Sequence, residues 1–225
     1  MNRPEVFVSG DVRSVRALHA GALDDLSRTT EMLEMLDRLA ASLQDGHRAA
    51  HPGASVVIKN WFPPLVGAAD HDINTSAFSR QDAQLAVARE HGFSDWHEIE
   101  VQVQRPDRTV FEQGVEATIS GDLPALRRLV HTHPHLPTAT SPYGHRATLL
   151  HYLAANGVET YRQQIPLNAV DVVSFLFEAG ADPDATMSVY GGDYTALALV
   201  STSGHTRDAG VVDGLVKALT FETSS

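Results

Sequence analysis

Several features that narrow the function of a protein are missing from this sequence. It contains no cysteine, which excludes disulfide bonds and thiolate metal sites. No apolar run approaches the length of a membrane-spanning helix, and the first residues lack the apolar segment of a secretory signal. Lysine occurs only at Lys59 and Lys217, against 15 arginines, which is typical of a GC-rich bacterial source. These absences predict a bacterial, cytoplasmic protein.

The charge balance excludes further classes of partner. The chain has 28 acidic and 17 basic residues, a formal charge of -11 and a pI near 5.4. Nucleic acids and anionic membrane surfaces attract basic proteins, so neither is an expected partner. A basic protein partner is compatible with this charge. With 43% hydrophobic residues, the 225-residue chain has an ordinary globular composition and room for one or two domains.

The first half of the chain reads as a helical region, residues 1–105. Apolar residues recur at helical spacing from Leu23 to Leu43, and Gly46 is a typical helix stop. Val6-Phe7-Val8 is compatible with a short strand. Ser79 and Asp82 have the spacing of a capping box at the start of another helix. Arg105-Pro106-Asp107 is the expected linker to the second half.

One segment of this region carries a resemblance. Residues 82–96, DAQLAVAREHGFSDW, resemble a helical hairpin that precedes ankyrin repeats in many bacterial proteins. The match covers about fifteen residues and implies no chemistry. Phe93 and Trp96 are expected to pack the two helices together, because large aromatic rings bury much apolar area.

The second half, residues 106–225, repeats one pattern of a helix, a turn, a second helix and a polar segment that we call a finger. Three such helix pairs are expected: Val110–Ser120 with Pro124–Val130, Thr148–Asn156 with Ala169–Ala179, and Thr195–Ser201 with Ala209–Leu219.

Specific residues of these pairs resemble the ankyrin family. Thr148-Leu149-Leu150-His151 is similar to its T-P-L-H helix start, although leucine replaces the usual proline, and Gly180-Ala181-Asp182 is similar to its helix exit. In the family the threonine bonds to the histidine of its own turn. The resemblance implies an all-α fold, an ankyrin-repeat solenoid of about three repeats preceded by the N-terminal helical region.

Two irregularities modify this expectation. The fingers Ser141-Pro142-Tyr143-Gly144 and Ser188-Val189-Tyr190-Gly191 lie 47 positions apart, whereas the usual ankyrin period is about 33. The excess falls mainly in Val158 to Leu167, expected to be a loop that enlarges a binding face. The last helix has no capping repeat after it. Coverage by another part of the chain, pairing of two copies, or a shortened chain are the open explanations.

The best lead to an enzyme is the histidine cluster His131, His133 and His135. Alternate residues of an extended segment share a face, so two imidazoles can share a metal. The cluster contains no glutamate to act as a general base, and it falls in a loop that is commonly polar. The sequence also lacks a phosphate-binding loop and a G-x-S-x-G elbow. No catalytic residue, metal ligand or cofactor is therefore expected.

Ankyrin proteins bind partners through fingers and inner helices, so the resemblance implies a partner-binding strip. Its expected residues are Tyr143, His145 and Arg146 in one finger, and Tyr190, Asp193 and Tyr194 in the next. Alternatively, the two tyrosines that precede a glycine only brace their turns. The expected function is protein–protein interaction with a partner of unknown identity. A metal-binding protein or metal-dependent hydrolase, and a scaffold that forms a homodimer through the C-terminal repeat, are the alternatives.

Overall fold

The computed structural model describes residues 4–23, 31–102 and 108–222. Most of these residues are helical, as the sequence predicts, and two small antiparallel sheets of two strands each are added. The chain divides into an N-terminal unit, Gly10–Arg105, and a C-terminal unit, Met1–Ser9 together with Pro106–Ser225. The segment that precedes Gly10 therefore goes with the second half of the chain. Within the described ranges, no helix combines the length and apolarity needed to cross a membrane.

The described part of the N-terminal unit is a bundle of helices whose apolar faces meet around α3. In chain order these are α1 (Gly10–Leu23), α2 (Met32–Arg48), α3 (Pro52–Trp61), α4 (Asp70–Thr75), α5 (Arg80–Glu90) and α6 (Trp96–Gln102). The helix α3 packs against α1, α2, α4 and α5. Val57 and Ile58 of α3 are fully buried, which places the core of the unit there.

Local signals explain two of these helices. Ser79 and Asp82 form the predicted capping box, since the Ser79 hydroxyl accepts from the Asp82 amide and the Asp82 carboxylate accepts from the Ser79 amide. The prediction that Gly46 ends a helix is wrong. Gly46 lies inside α2, where a side chain would collide with Leu18 of α1, so this glycine permits close packing. A helix was predicted to start at Leu23. Leu23 is the last residue of α1, and residues 24–30 lie outside the described residues.

The helical hairpin of residues 82–96 is present as α5 and the start of α6. Phe93 is buried in the turn between the helices, and Trp96, at the first position of α6, is half-buried. Phe93 therefore has the packing role expected for it, while Trp96 retains partial contact with water.

The C-terminal unit contains helices in the three predicted pairs, but the helix expected over Thr148–Asn156 ends at Tyr152, and the helix at Gly204–Asp208 was not expected. The helices are α7 (Arg108–Ile119), α8 (Leu123–Thr132), α9 (Leu149–Tyr152), α10 (Ala169–Glu178), α11 (Ala196–Thr202), α12 (Gly204–Asp208) and α13 (Val212–Glu222). The first helices of the pairs lie side by side, because α9 contacts both α7 and α11. The turn between α7 and α8 uses Gly121 at a φ of +68°, and Asp122 caps α8 by accepting from the Ala125 amide at 2.9 Å.

Among the described residues there are four strands, and all of them belong to the C-terminal unit. Strand β1 (Val6–Val8), the short strand that the sequence suggests, pairs antiparallel with β2 (Gln164–Pro166), with Phe7 opposite Ile165. Strands β3 (Thr186–Val189) and β4 (Gly192–Thr195) form a hairpin with Ser188 opposite Asp193. The first sheet thus joins the beginning of the chain to the segment between α9 and α10.

The last helix packs against α10 and α11. Leu215 and Leu219 of α13 are buried, whereas Val212 and Val216 are half-buried. Pairing of two copies through this helix stays a prediction.

Candidate functional site

The first finger, residues 139–147, turns its aromatic side chains inward. The Ser141 amide donates to the Ala147 carbonyl at 2.7 Å, which closes the turn. Tyr143 is 1% exposed and His145 is 0% exposed. Their rings contact each other edge-on, with centroids 5.8 Å apart. The sequence-based assignment of Tyr143 and His145 to a partner-binding strip is therefore wrong, because buried side chains do not reach a partner. The alternative, a tyrosine that braces its turn, applies to Tyr143.

Hydrogen bonds fix the orientation of the His145 ring. Its Nδ1 accepts from the Ala147 amide at 3.1 Å, so the ring proton belongs on Nε2. Nε2 lies 3.4 Å from Oε1 of Glu159, a fully buried carboxylate that also accepts from the Tyr152 hydroxyl at 3.3 Å. His145 therefore anchors the first finger to the protein interior.

Arg146 differs from its two aromatic neighbours. Its side chain is exposed, and its φ of +53° lies in the left-handed region that favours glycine. The chain direction reverses at this residue, and the Arg146 amide donates to the Tyr143 carbonyl at 3.1 Å. Arg146 thus remains in the candidate site.

The second finger, residues 186–195, presents its aromatic side chains to water. Tyr190 and Gly191 connect β3 to β4, with φ of +54° and +77°. Positive φ at both central residues is the geometry of a type I′ turn, which glycine and asparagine adopt readily and tyrosine does not. Tyr190 is 61% exposed and Tyr194 is 36% exposed. Asp193, between them, is exposed as well.

Two contacts position the tyrosine rings of the second finger. The Tyr190 hydroxyl donates to Oδ1 of Asn156 at 2.9 Å, a partner that sequence reasoning did not identify. Loss of water around this hydroxyl raises the pKa of Tyr190, and a hydrogen bond from the Gly157 backbone opposes the shift. The Tyr194 ring lies over Gly192, since a Cβ on Gly192 would stand 3.2 Å from the ring. Both rings are thereby held at the hairpin while part of each faces solvent.

The two fingers are hydrogen-bonded to each other and to α9. The Ser188 amide donates to the His145 carbonyl at 2.9 Å. His151 accepts from the Thr148 amide at Nδ1 and donates from Nε2 to the Tyr194 carbonyl at 3.1 Å. The Thr148 hydroxyl lies 2.8 Å from the same Nδ1, the contact that the ankyrin resemblance implies. His151 therefore connects the start of α9 to the strand that carries Tyr194.

Burial determines the protonation of this histidine. Desolvation lowers the pKa of His151 to about 4; the hydrogen bond to the Tyr194 backbone opposes the shift, and an electrostatic contribution from His145 adds to it. The ring is neutral near pH 7. The hairpin position thus depends on an imidazole that accepts at one nitrogen and donates at the other.

The segment between α9 and α10 is not the surface loop that the sequence suggests. Every residue from Gly157 to Pro166 is buried, and only Leu167 returns to the surface. The segment provides β2, and Gln164 donates to the Ile119 carbonyl at 3.0 Å. The expectation that residues 158–167 enlarge a binding face is therefore wrong, because this segment is buried within the unit, where β2 pairs with β1.

Arg162 brings a charge into this buried segment. The guanidinium forms an ion pair with Glu112 and lies 3.7 Å from a Glu116 oxygen and 3.8 Å from a Glu159 oxygen. Burial by itself would lower the pKa of Arg162. The nearby carboxylates raise this pKa by a larger amount, so the net shift is upward. Arg162, Glu112 and Glu159 are inaccessible to a large partner, whereas Glu116 is exposed, so the network mainly stabilises the fold beneath the first finger.

The histidine cluster has no metal-site geometry. His131 and His135 are exposed and His133 is half-buried. The rings of His133 and His135 stand edge-on with centroids 6.1 Å apart. Across the described ranges 4–23, 31–102 and 108–222, no three histidine, aspartate or glutamate side chains converge in a way that could hold a metal ion. His145 and His151, the next histidines along the chain, are engaged in the bonds described above.

A shallow groove of about 460 Å³ lies among the described residues of the N-terminal unit. Its lining residues are Glu31, Leu33, Glu34, Asp37 and Trp96. Two carboxylates of the groove form ion pairs with arginines of the chain itself. Arg38 lies 2.7 Å from Glu34, and Arg80 lies 2.6 Å from Asp37. The groove is a weaker candidate than the second finger.

The structure thus brings four of the six sequence-predicted binding residues to the surface of adjacent fingers: Arg146, Tyr190, Asp193 and Tyr194. A scan against models of known protein families, a search of curated proteins and a search of solved structures each returned no match to this chain. The geometry of the fingers is therefore the basis for assigning a function.

Proposed function

We propose that this protein is a protein–protein interaction module of the ankyrin-repeat type, whose contact surface is formed by Arg146, Tyr190, Asp193 and Tyr194. The repeat assignment is supported by the helix pairs of the C-terminal unit and by the Thr148–His151 contact at the start of α9. The contact surface is supported by the exposure of its four side chains on two hydrogen-bonded fingers.

The observation that carries the proposal is the backbone of Tyr190. A bulky residue in the left-handed region costs roughly 1–2 kcal/mol relative to glycine. Tyr190 adopts this conformation at a hairpin tip where glycine or asparagine is favoured, and 61% of the residue remains exposed. The buried apolar area that normally offsets such strain is largely missing. A role for the ring in binding explains why tyrosine occupies this position.

The chemistry of the surface suits recognition of another protein. Tyrosine and arginine are enriched in protein interfaces, because each combines a large contact area with a polar end. Tyr190 is further held by its bond to Asn156, which reduces the conformational entropy that binding removes.

The test is partner capture with the full chain as bait, comparing the wild type with Tyr190→Asn. Asparagine suits the type I′ turn, so this variant retains the hairpin while it removes the ring. We expect a partner retained by the wild type, identified by mass spectrometry and then purified, to bind Tyr190→Asn at least about tenfold more weakly, as for other hot-spot tyrosines.

The matched control is Leu167→Ser, which removes an exposed apolar side chain of the same unit outside the fingers. This variant is expected to bind like the wild type. Wild-type affinity in Tyr190→Asn would contradict the proposal. The oligomeric state is measured by light scattering in parallel, because dissociation of an oligomer by Tyr190→Asn would favour the homodimer scaffold instead.

A further inference from the structure

The outer edge of β4 has unpaired main-chain groups. In a two-residue hairpin, the hydrogen-bonded pairs are Val189 with Gly192 and, next along the strands, Met187 with Tyr194. The pair between them, Ser188 and Asp193, is not hydrogen-bonded within the hairpin. The main-chain amides and carbonyls of these two residues therefore point away from it. On the β3 side, the Ser188 amide donates to His145. On the β4 side, among the described residues, no main-chain group bonds to the outward groups of Asp193 or to the Thr195 amide.

The side chains along this edge alternate between two environments. Asp193 is on the same face as Ser188, whose hydroxyl donates to Oδ1 of Asp193 at 2.6 Å. Tyr194 is on the opposite face, above Gly192. Because successive side chains of a strand point to opposite faces, a strand added to β4 would place alternate side chains beside a carboxylate and beside an aromatic ring.

The exposed charged side chains of the second finger and of the segment just before it have one sign. Between Gly180 and Ala196 they are Asp182, Asp184 and Asp193, all acidic. Arg146, an exposed cation, belongs to the first finger, which bonds to the hairpin on the β3 side. An acidic surface of this kind favours a basic partner and repels an acidic one.

From the open edge, the alternating side chains and the uniform charge, we infer that β4 binds an extended segment of a partner protein in which basic and apolar side chains alternate. The segment extends the β3–β4 sheet by pairing with the main chain of Asp193 and Thr195. Its basic side chains face the Asp193 carboxylate, and its apolar side chains pack against Tyr194. This inference rests on the proposed interaction function and specifies the partner. Lysine and proline, two common blocks of open strand edges, are absent from β4, and its one charged side chain, Asp193, is the group that faces the partner's basic side chains.

The probe is the fluorescein-labelled peptide acetyl-Arg-Val-Arg-Val-Arg-Val-amide, titrated with the full chain at low salt and followed by fluorescence anisotropy. We expect saturable binding, and slower solvent exchange of the Asp193 and Thr195 amides in NMR spectra of the complex. The block-order peptide acetyl-Arg-Arg-Arg-Val-Val-Val-amide has the same charge and composition without the alternation. It is expected to bind more weakly, as is an alternating peptide N-methylated along one edge.

Asp193→Asn tests the charge while it keeps an oxygen that accepts from Ser188. We expect this variant to bind the alternating peptide roughly two- to fivefold more weakly, the range for an exposed ion pair. The matched control is Asp171→Asn, which removes the same charge from the exposed face of α10 and is expected to leave the affinity unchanged.

Three results would overturn the inference: no peptide binding, equal binding of the two peptide orders, or equal loss in Asp193→Asn and Asp171→Asn. Equal binding of the two peptides, or equal losses in the two variants, would mean that the overall charge of the protein alone attracts the peptide. If Tyr190→Asn still loses its captured partner while no peptide binds, the interaction function stands and strand addition at β4 fails.

Discussion

Tyr143 and Tyr190 stand in similar sequence contexts, serine two residues before and glycine directly after, yet the structure uses them in opposite ways. Tyr143 is 1% exposed and Tyr190 is 61% exposed. The first finger is covered by its neighbours, since Ser188 of the second finger bonds to it and Glu159 of the buried segment lies against His145. Among the described residues, no further finger pairs with β4. The same turn motif therefore supplies a core residue in one finger and a surface residue in the next.

The difference shows that position in the unit, rather than the local motif, decides whether a finger stabilises the fold or is free to bind.

All five tyrosines lie in the C-terminal unit, and both tryptophans, Trp61 and Trp96, lie in the N-terminal unit. Tryptophan fluorescence therefore follows the unfolding of the N-terminal unit, and tyrosine absorbance, after the tryptophan contribution is subtracted, follows that of the C-terminal unit.

The largest difference between the fingers is expected on removing each tyrosine ring. Tyr143→Ala leaves a cavity in the core and should lower the free energy of unfolding of the C-terminal unit by about 3–5 kcal/mol, as for other buried aromatics. Tyr190→Ala should change it by less than about 1 kcal/mol, because its ring is largely solvated. Urea unfolding followed by tyrosine absorbance measures both. Similar losses in the two variants would refute the contrast.

Arg162, buried between the two fingers in sequence, and Arg146, exposed on the first finger, provide a second comparison. Arg162→Met leaves Glu112 without its ion pair and should lower the free energy of unfolding by about 3 kcal/mol, at the low end for a buried pair because Glu116 is exposed. Arg146→Met removes an exposed charge and should change it by less than about 0.5 kcal/mol. The same urea titrations apply. A loss below 1 kcal/mol for Arg162→Met would show that the buried network is dispensable.

Acidification is expected to loosen the link between α9 and the second finger. The pKa of His151 is about 4 in the folded unit, below its ordinary value of 6.5, so the unfolded chain binds the proton first. The stability from His151 is complete above pH 6.5 and declines as the pH falls from 6.5 to 4, by about 2 kcal/mol at pH 5. The measurement is the free energy of unfolding by tyrosine absorbance at pH 7 and pH 5.

The control for this pH dependence is His151→Asn, which should reduce the difference between pH 7 and pH 5 by about the same 2 kcal/mol. In the N-terminal unit, burial lowers the pKa of His19 to about 3, with smaller contributions from His91 and His51. The acid sensitivity seen by tryptophan fluorescence should therefore persist in the variant. An unchanged tyrosine-detected pH dependence in His151→Asn would exclude His151 as its source.

The smallest expected effect is an increase in the stability of the C-terminal unit. Tyr190→Asn relieves the left-handed strain at the turn and loses the hydroxyl contact with Asn156, for a net stabilisation of about 0.5–1 kcal/mol. Thermal unfolding followed by tyrosine absorbance should show a higher midpoint than the wild type. A lower midpoint would mean that the ring contributes to folding, which would weaken the argument that tyrosine is present for binding.

The sequence predicted the parts of this protein that depend on neighbouring residues. The capping box at Ser79, the helix pairs after residue 108 and the contact between Thr148 and His151 all follow from short spacings. Four of the six expected surface residues lie on the surface. The prediction failed for Tyr143 and His145, since a turn motif does not specify what lies over it.

A signal for the buried segment was present in the sequence. Val6-Phe7-Val8 reads as a strand in a chain that is otherwise helical, and a strand needs a partner for its main-chain groups. Ile165, opposite Phe7, belongs to that partner. The pairing joins residues more than 150 positions apart, and no local pattern encodes such a contact.

By itself, the sequence determined the approximate positions of the paired helices of the C-terminal unit and several residues of its turns, because caps, glycines and helical periodicity act within a few residues. Only the tertiary structure decided that Gly157–Pro166 is interior, that Tyr143 is core and that the edge of β4 is open. Those outcomes depend on which surfaces compete for burial, and that competition is settled between segments far apart in the chain.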